Sequence, residues 1–415
     1  MKHLTVYLNA ARVGVLTDGD EPGFAYDAGW LAGGTALPLS RQLPLRSEPF
    51  SGRAVRVFFA GLLPEAEPRE RIAAILGISE ANDFAMLERI GGECAGAVSL
   101  LPEDIPPPPP GNGRLRWLAD GELAAIIEEL PQRPLMAGEE GLRLSLAGAQ
   151  IKLPVVLDPN GPADAIRVAL PLDGTPSTHI IKPESPRFAG LAANEAWCMA
   201  LARSIGLRAA EARPVTIGNT PCLIVKRYDR RISASGAVLR VHQEDFCQAL
   251  GFPPSRKYQQ EGGPSLRECF GLLRDWSSAP VLDIRDFLDA VIFATLTGNA
   301  DAHAKNFSIL YADGKRRMTP LYDQVCTLAW PELSKTLSMK IGSAGSLAEV
   351  SPEHFKQLSA EAKLGWPMVR ERLADLCLKT AAAIRSAEIP AASAIAAETT
   401  LHRAERMLRL MDERK

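Results

Sequence analysis

The sequence predicts an α+β protein made of more than one lobe, and three observations support this. The chain has 415 residues, which is long for one domain and suits two or three lobes. Short apolar runs typical of strands fill much of its first part, whereas the sequence beyond residue 326 has mainly helical patterns. Five consecutive prolines, Pro106 to Pro110, adopt polyproline II and cannot pack in a core, so we expect them to separate a first subdomain from the rest.

The composition is that of an ordinary soluble protein, with 46% apolar and 23% charged residues. The net charge of −2 argues against a broad nucleic-acid-binding face. The seven cysteines are scattered and form no C-x-x-C pair, which favours buried, reduced thiols over disulfides or a zinc site. The chain lacks a run of about 18 apolar residues and an apolar N-terminal signal region. We therefore expect a cytoplasmic protein without a membrane partner.

Residues 1–105 predict a small unit of strands and helices that holds no catalytic constellation. Apolar strand-like runs come first, at 4–8, 13–16 and 24–26, and helical patterns follow at 53–61, 65–76 and 80–90. Gly77 is expected to end the second of these helices. A glycine-rich turn then begins at Gly91 and leads into a strand that ends at Leu101. We expect this unit to recognise or brace something.

The next organised stretch predicts two strands, 142–146 and 151–157, joined by a turn of small residues. In that turn, Ala147, Gly148 and Ala149 would allow backbone amides to approach a phosphate closely. The stretch matches neither G-x-G-x-x-G nor G-x-x-x-x-G-K-[ST], so on its own an ordinary hairpin explains it better. We call residues 147–152 the Gly148 loop.

A lysine and a glutamate follow in an order that is typical of kinases. Lys182 ends a predicted strand, and 13 residues later Glu195 lies in an amphipathic helix predicted from Leu191 to Ile205. A strand lysine that binds the α- and β-phosphates of ATP and is held by a helix glutamate is the arrangement of the kinase small lobe. The pair is significant because it follows the Gly148 loop in the sequence.

An apolar strand at 222–225 then runs into the polar segment Lys226 to Arg230. A strand that ends in a polar linker between two lobes is where adenine pairs with backbone groups in a kinase. Asp229 would then be placed to contact the ribose. A charged, solvated strand end is the alternative explanation for these residues.

The stretch around Asp301 carries the residue types that phosphoryl transfer requires. A helix with a buried face is predicted to end at Gly298, and a hairpin turn at Asp313-Gly314 follows the polar run 299–306. Asp301 would receive the proton of the attacking hydroxyl, while Asn306 and Asp323 would hold magnesium. A solvated turn in which Asp and Asn act as capping residues would have the same sequence pattern and is the alternative explanation. We call residues 299–306 the Asp301 loop.

The remaining patterns are mainly helical. The turn-rich segment 258–264 either connects helices or offers a place where a substrate docks. Helical patterns at 352–364, 367–386 and 391–412 are expected to pack as a bundle. These patterns predict an all-helical C-terminal lobe.

Six motifs in order make the sequence resemble the HipA-type serine/threonine-protein kinase toxins of bacterial toxin–antitoxin modules. The motifs, which span nearly the whole chain, are Ser145-Leu-Ala-Gly-Ala-Gln, Thr178-His-Ile-Ile-Lys182, Gln243-Glu-Asp, Gly262-Gly-Pro, Asp301-Ala-His-Ala-Lys-Asn306 and Leu321-Tyr-Asp323. The resemblance implies a two-lobed, protein-kinase-like fold. Its expected parts are an N-terminal subdomain at 1–105, a proline-rich linker at 106–114, a small lobe at 115–230 and a large lobe at 231–415.

The resemblance also implies a role for individual residues, with ATP and Mg²⁺ as cofactors. Asp301 would be the catalytic base, Asn306 and Asp323 the magnesium ligands, and Ser145 the site of a self-inactivating autophosphorylation. Glu195 would anchor Lys182. The implied ATP contacts are Ala147, Gly148, Ala149, Gln150, Ile151, Lys152, Lys182, Lys226, Arg227, Tyr228, His303, Ala304, Lys305, Asn306, Tyr322 and Asp323.

Partners follow from the same resemblance. The expected partner is a small HipB-like helix-turn-helix antitoxin that binds operator DNA, and the expected substrate class is an aminoacyl-tRNA synthetase, notably glutamyl-tRNA synthetase. Two departures from the family pattern stand out. Ile151 replaces a frequent acidic residue, and the segment 342–349 lacks a lysine cluster that can touch DNA. We therefore expect DNA contact only indirectly, through the antitoxin.

Two other functions fit parts of the sequence. A small-molecule kinase would share the Asp-x4-Asn spacing and a later Asp, but the long first unit and the matched Ser145 argue against it. A catalytically silent co-repressor would have lost one of Lys182, Asp301, Asn306 and Asp323, and all four are present.

Overall fold

The computed structural model describes residues 2–19, 21–102, 105–109, 111–159 and 166–413. Met1 and Pro110, which belong to the predicted subdomain and linker, lie outside them. The chain forms two compact units. The first comprises Met1–Pro183, Val215–Glu244 and Leu310–Lys315, and the second Glu184–Pro214, Asp245–Ile309 and Arg316–Lys415. The predicted subdomain 1–105 thus shares one unit with the predicted small lobe 115–230 up to Pro183, whereas the part of that lobe with the helix that carries Glu195 belongs to the other unit.

The first unit begins with an antiparallel sheet whose strands line up as Phe50–Ser51, Gly23–Tyr26, Ala11–Thr17, His3–Leu8 and Val98–Leu101. Helices cover it at Ala28–Leu31, Arg53–Ala60, Ala66–Leu76 and Asp83–Ile90. Phe24, Phe58 and Leu4 are among the side chains that are fully buried against this sheet's core. The predicted order of strands, helices and a final strand is therefore present.

A second sheet in the first unit carries the predicted small-lobe strands. Its order is Ala212–Ile217, Thr220–Lys226, His179–Pro183, Leu153–Leu157, Val168–Leu172 and Arg114–Trp117. The first unit also contains the helix Asp120–Glu129 and a separate two-stranded ribbon of Arg230–Ile232 and Val238–Arg240. The strand predicted at 142–146 is absent: this segment makes an isolated parallel bridge between Leu144 and Glu93 instead.

The second unit is mainly helical. Its helices are Leu191–Ser204, Phe246–Leu250, Leu266–Trp276, Pro280–Thr297, Pro352–Glu361, Trp366–Ser386 and Ala394–Asp412. The expectation of an all-helical large lobe needs a correction, because the strands Thr336–Ile341 and Ala344–Ser346 pair there. The first alternates apolar and polar residues from Leu337 to Ile341, a strand signal that the sequence analysis did not use.

Local signals set several element boundaries. Gly77 and Gly298 adopt left-handed backbone conformations with φ of 64° and 72° and end their helices, as predicted. Asn82 caps the helix Asp83–Ile90 by accepting a hydrogen bond from the Ala85 N–H. Asp313 and Gly314 have φ of 51° and 70°, the positive values that a tight hairpin between Ser308–Ala312 and Lys315–Met318 requires.

The cysteine prediction is confirmed, since all seven thiols are free and buried. Burial raises the pKa of Cys94 and of Cys377 to about 12, so both stay protonated at neutral pH. Among the described residues, no helix combines the length and the apolar character that crossing a membrane demands.

Candidate functional site

The Asp301 loop starts where the long helix Pro280–Thr297 ends. Thr327 holds this start, because its hydroxyl donates to the Gly298 carbonyl (2.9 Å) and accepts from the Ala300 N–H (3.0 Å). Ser338 donates twice to the Ala300 carbonyl, from its N–H at 3.0 Å and from its hydroxyl at 2.8 Å. The loop is therefore fixed on two sides before it reaches Asp301.

Asp301 is exposed, and its main chain is tightly held. Its N–H donates to the side-chain oxygen of Asn299 (3.0 Å), and its carbonyl accepts from the His303 N–H (2.8 Å) and from Nδ2 of Asn306 (3.0 Å). The carboxylate oxygen Oδ1 accepts a hydrogen bond from the hydroxyl of Tyr258 at 3.0 Å. An accessible carboxylate on a rigid backbone is suited to accept a proton from a docked hydroxyl.

The structure brings the segment before Asp323 to the end of the Asp301 loop. The Tyr322 hydroxyl donates to the Lys305 carbonyl at 2.8 Å and shares a hydrogen bond with the Ser308 hydroxyl at 2.7 Å. Asp323 follows directly, with a left-handed φ of 52° that a non-glycine residue adopts only when its surroundings impose it. Asn306 and Asp323 thus lie on neighbouring, mutually bonded segments.

These two side chains fit a magnesium ion. Nδ2 of Asn306 donates within the loop, which leaves the amide oxygen for other partners. An amide oxygen and a carboxylate are hard oxygen ligands, and Mg²⁺ on a nucleotide is bound by one or two carboxylates together with phosphates and waters. No group of three or more His, Cys, Asp or Glu that could bind a metal without a nucleotide occurs in the part of the chain that the structure describes.

Lys305 and His303, predicted to contact ATP, are buried in this structure. The Lys305 ammonium lies 2.7 Å from Oδ2 of Asp245, and both side chains are nearly inaccessible. The His303 ring packs edge-on against the Tyr258 ring, with centroids 5.5 Å apart. Ala304, next to them, is also buried.

The Gly148 loop is folded back on itself. Nζ of Lys152 donates to the Ala147 carbonyl at 2.6 Å, and a Cβ at Gly148 would lie 2.8 Å from that nitrogen. Gly148 has a φ of 106°, which side-chain-bearing residues rarely adopt. Ala149 at the tip is exposed, while Gln150 and Ile151 are half-buried. The backbone conformation thus requires glycine at position 148, while the approach of backbone amides to a phosphate stays a prediction.

Ser145, just before this loop, is fully buried. Its hydroxyl donates to the Leu62 carbonyl and its N–H to the Glu93 carbonyl, both at 2.8 Å. A phosphate could not be accommodated at this position without movement of the segment.

Lys182 and Glu195 are both buried, on the strand His179–Pro183 and the helix Leu191–Ser204. They belong to different units, so the predicted anchoring of Lys182 by Glu195 stays a prediction. Lys226 is exposed at the end of its strand, and Tyr228 is half-buried.

The residues after Lys226 are held by a buried ion cluster that the sequence did not reveal. The Glu93 cluster, as we call it, consists of Glu93, Ser177, Arg227, Asp229, Arg230 and Arg240. Oε1 of Glu93 lies 2.7 Å from Arg230 and 3.2 Å from Arg227, and Oε2 lies 2.6 Å from Nε of Arg240. Burial alone would raise the pKa of Glu93, but the charges of the three arginines outweigh it and hold that pKa well below its usual range.

This cluster corrects the role expected for Asp229. Its carboxylate is 3% exposed, pairs with Arg227 and Arg230, and accepts from the Gly96 N–H at 2.8 Å. It is therefore not available to a ribose. The Arg227 guanidinium is turned into the same cluster and its main-chain N–H donates to the Thr178 carbonyl at 3.0 Å, so the expected contact of Arg227 with ATP stays a prediction.

Several residues at these sites escaped sequence reasoning, notably Thr327, Ser338, Tyr258, Asp245 and Glu93. Three of them lie in stretches that the sequence analysis singles out: Asp245 ends Gln243-Glu-Asp, Glu93 follows the Gly91-Gly92 turn and Tyr258 begins the segment 258–264. A charged residue inside a motif was the available signal, but its partner could not be inferred.

Comparisons with known proteins agree on one family. The profile of the HipA N-terminal domain matches residues 4–101, and that of the HipA-like C-terminal domain matches residues 144–387. The protein Y4mE of Sinorhizobium fredii is 48% identical over 386 residues, which cover 92% of this chain and 90% of that protein. The serine/threonine-protein kinase toxin HipA of Shewanella oneidensis is 34% identical over 353 residues, which cover 81% of this chain and 78% of that protein.

A solved structure is similar over almost the full length. It is the complex of HipA, HipB and operator DNA of a Shewanella oneidensis MR-1 toxin–antitoxin system, and it matches with a TM-score of 0.84 and 28% identity over 99% of this chain and 98% of that chain. This likeness confirms the predicted α+β, kinase-like fold.

Proposed function

The chain belongs to the HipA family of kinases, and we propose that it transfers the γ-phosphate of ATP to a serine or threonine of a protein, as the toxin of a toxin–antitoxin pair. The observation that carries this proposal is the Asp301 loop. It presents an exposed carboxylate on a fixed backbone, next to an amide and an acid suited to magnesium. A silent co-repressor would have no need of this set.

In the proposed reaction, Asp301 orients the acceptor hydroxyl and takes its proton as the phosphoryl group arrives. Lys182 binds the phosphates from the strand His179–Pro183, and the small residues of the Gly148 loop let backbone amides approach them. Asn306 and Asp323 hold magnesium, which when bound neutralises the charge on the phosphates. The segment Lys226–Tyr228 receives the adenine through its main chain.

A relative supports the proposed partner, and the family resemblance of the sequence implies the proposed substrate. The Shewanella oneidensis complex contains HipB and operator DNA, which supports a helix-turn-helix antitoxin as the partner of this chain. We propose an aminoacyl-tRNA synthetase such as glutamyl-tRNA synthetase as the substrate, and a cytoplasmic location for the reaction. DNA would be reached through the antitoxin.

Autophosphorylation of Ser145 would inactivate the enzyme. A phosphate adds up to two negative charges and cannot remain in the buried position of the Ser145 hydroxyl, so the segment that leads into the Gly148 loop would have to leave it. A displaced Gly148 loop could no longer cover the phosphates of ATP.

The test compares wild type with Asp301→Asn, which preserves size but removes the base. Incubation with Mg-ATP labelled at the γ-phosphate should label wild type and proteins of a cell extract, and the variant should do so at least about a hundredfold more slowly. Equal labelling by the variant would overturn the proposal. Labelling of lipids or sugars in place of protein would favour the small-molecule kinase.

A further inference from the structure

The side chain of Asp301 is held differently from its main chain. Three hydrogen bonds fix the backbone of Asp301, through Asn299, His303 and Asn306. Within the described part of the chain, the carboxylate itself accepts one hydrogen bond, at Oδ1 from the Tyr258 hydroxyl, 3.0 Å away. Among the described groups, this phenol therefore supplies the hydrogen bond that opposes rotation of the carboxylate about its side-chain torsions.

The segment that carries Tyr258 is shaped to present it. We call residues 254–263 the Tyr258 loop. The Tyr258 carbonyl accepts from the N–H groups of Glu261 (3.0 Å) and Gly263 (2.9 Å), which closes a tight turn. A Cβ on Gly263 would lie 2.3 Å from the Arg256 carbonyl oxygen and 2.7 Å from that of Tyr258, so the turn admits only glycine there.

One strand fixes both loops. The Lys340 N–H donates to the side-chain oxygen of Gln259 at 2.7 Å, next to Tyr258. Ser338, two residues earlier on the strand Thr336–Ile341, donates to the Ala300 carbonyl, next to Asp301. The distance between phenol and carboxylate is thus set by a common scaffold, and the His303 ring supports the Tyr258 ring edge-on.

We propose that Tyr258 is a positioning residue for the acceptor side of the reaction. By occupying Oδ1 of Asp301, its hydroxyl turns the carboxylate so that Oδ2 faces the acceptor hydroxyl. The inference rests on the proposed function of Asp301 as the base. Misplacement of a base by a fraction of an ångström reduces the rate of the chemical step without altering how the nucleotide binds.

The experiment replaces Tyr258 by Phe, which keeps the ring and its packing on His303 but removes the hydroxyl. The acceptor is an excess of the Asp301→Asn chain, which still carries Ser145, and transfer of labelled γ-phosphate from Mg-ATP is followed at several ATP concentrations. We expect kcat to fall about tenfold, with KM for ATP and the melting temperature unchanged.

Three further variants sharpen the test. Gly263→Ala displaces the same turn and should lower kcat in the same way, whereas Gly271→Ala, which has open space around it, should not. Tyr7→Phe is the matched control for the chemical change, because in the described chain the Tyr7 hydroxyl makes no hydrogen bond and the residue lies on the strand His3–Leu8.

The outcomes separate the two proposals. An active wild type with unchanged kcat in Tyr258→Phe would overturn the inference alone. A rise in kcat would also overturn it, because it would mean that the phenol occupies the place of the acceptor. A fall in ATP affinity together with a fall in melting temperature would overturn it as well. A wild type that labels no protein at all, or an Asp301→Asn enzyme as active as wild type, would overturn the proposed function itself.

Discussion

Asp245 and Lys305 form a buried ion pair, with the ammonium nitrogen 2.7 Å from Oδ2 of the carboxylate. The other oxygen of Asp245 accepts from the Gln248 N–H at 2.8 Å and caps the helix Phe246–Leu250 in a capping box. Lys305 lies directly before Asn306 in the Asp301 loop. One carboxylate therefore ties the start of a helix to the end of the loop.

Replacing Asp245 by Asn should destabilise the protein and lower its rate of phosphoryl transfer. Asn still caps a helix, but the buried ammonium of Lys305 loses its ion pair with the Asp245 carboxylate, which costs about 3 kcal/mol. Urea unfolding should show this loss. The double variant Asp245→Asn/Lys305→Met should be more stable than Asp245→Asn, because the buried charge is gone. A urea midpoint equal to that of wild type would contradict the importance of the pair.

Glu93→Gln should be among the most destabilising single substitutions. It removes the negative charge that three buried arginines share in the Glu93 cluster, at a cost of about 4 kcal/mol. The matched control is Glu88→Gln, whose ion pair with Lys2 at 3.3 Å is partly exposed and contributes less than about 1 kcal/mol. Thermal melts of both variants would test this, and equal melting temperatures would contradict it.

His242 should make stability fall in mild acid. Burial lowers its pKa from 6.5 to about 4, despite the hydrogen bond between Nε2 and the Leu39 carbonyl. Between these pH values the unfolded chain binds a proton that the folded chain does not, so folding loses about 3 kcal/mol as the pH drops through this window.

The variant His242→Gln isolates this contribution, because Gln keeps a donor for the Leu39 carbonyl but does not titrate. The difference in unfolding free energy between wild type and variant should be constant above pH 6.5 and should shift in favour of the variant towards pH 4. Urea unfolding at several pH values measures it. A difference that does not change with pH would refute the assignment.

Gly298→Ala should cost about 1–2 kcal/mol and disturb the Asp301 loop. Gly298 has φ of 72°, and a Cβ there would lie 2.8 Å from Cδ1 of Leu328. Gly271, inside the helix Leu266–Trp276 with nothing within 4 Å of its Cβ position, is the control. Ala there should stabilise the helix by about 0.5–1 kcal/mol. Calorimetry would distinguish the opposite signs, and a common sign would contradict the argument.

Phosphorylation should release the segment around Ser145. After incubation with Mg-ATP, amide hydrogen exchange in residues 142–152 should rise about tenfold in wild type and not in Ser145→Ala, because the contact with the Leu62 carbonyl is lost. Mass spectrometry reports both the phosphate and the exchange. Phosphorylated Ser145 with unchanged exchange would disprove the release, and absence of phosphate would disprove the autophosphorylation.

Features that depend on near neighbours were determined by the sequence alone. The end of the long helix at Gly298, the hairpin turn at Asp313-Gly314 and the helix Leu191–Ser204 lie where local patterns predicted them. Glycine at positive φ and apolar periodicity act within a few residues, so the sequence shows them directly. The order of the polar motifs also sufficed to recognise the family.

Contacts between distant residues were decided by the tertiary structure. Asp229 shows the difference, because an acid after a strand looks the same in the sequence whether it faces solvent or is buried. Here it is buried in an ion cluster and accepts a hydrogen bond from the Gly96 N–H, 133 positions away. Tyr258 meets Asp301 only because the unpredicted strand Thr336–Ile341 holds both loops. Spacing along a chain sets which residues are neighbours within an element, whereas packing of separate elements sets which charges are desolvated and paired.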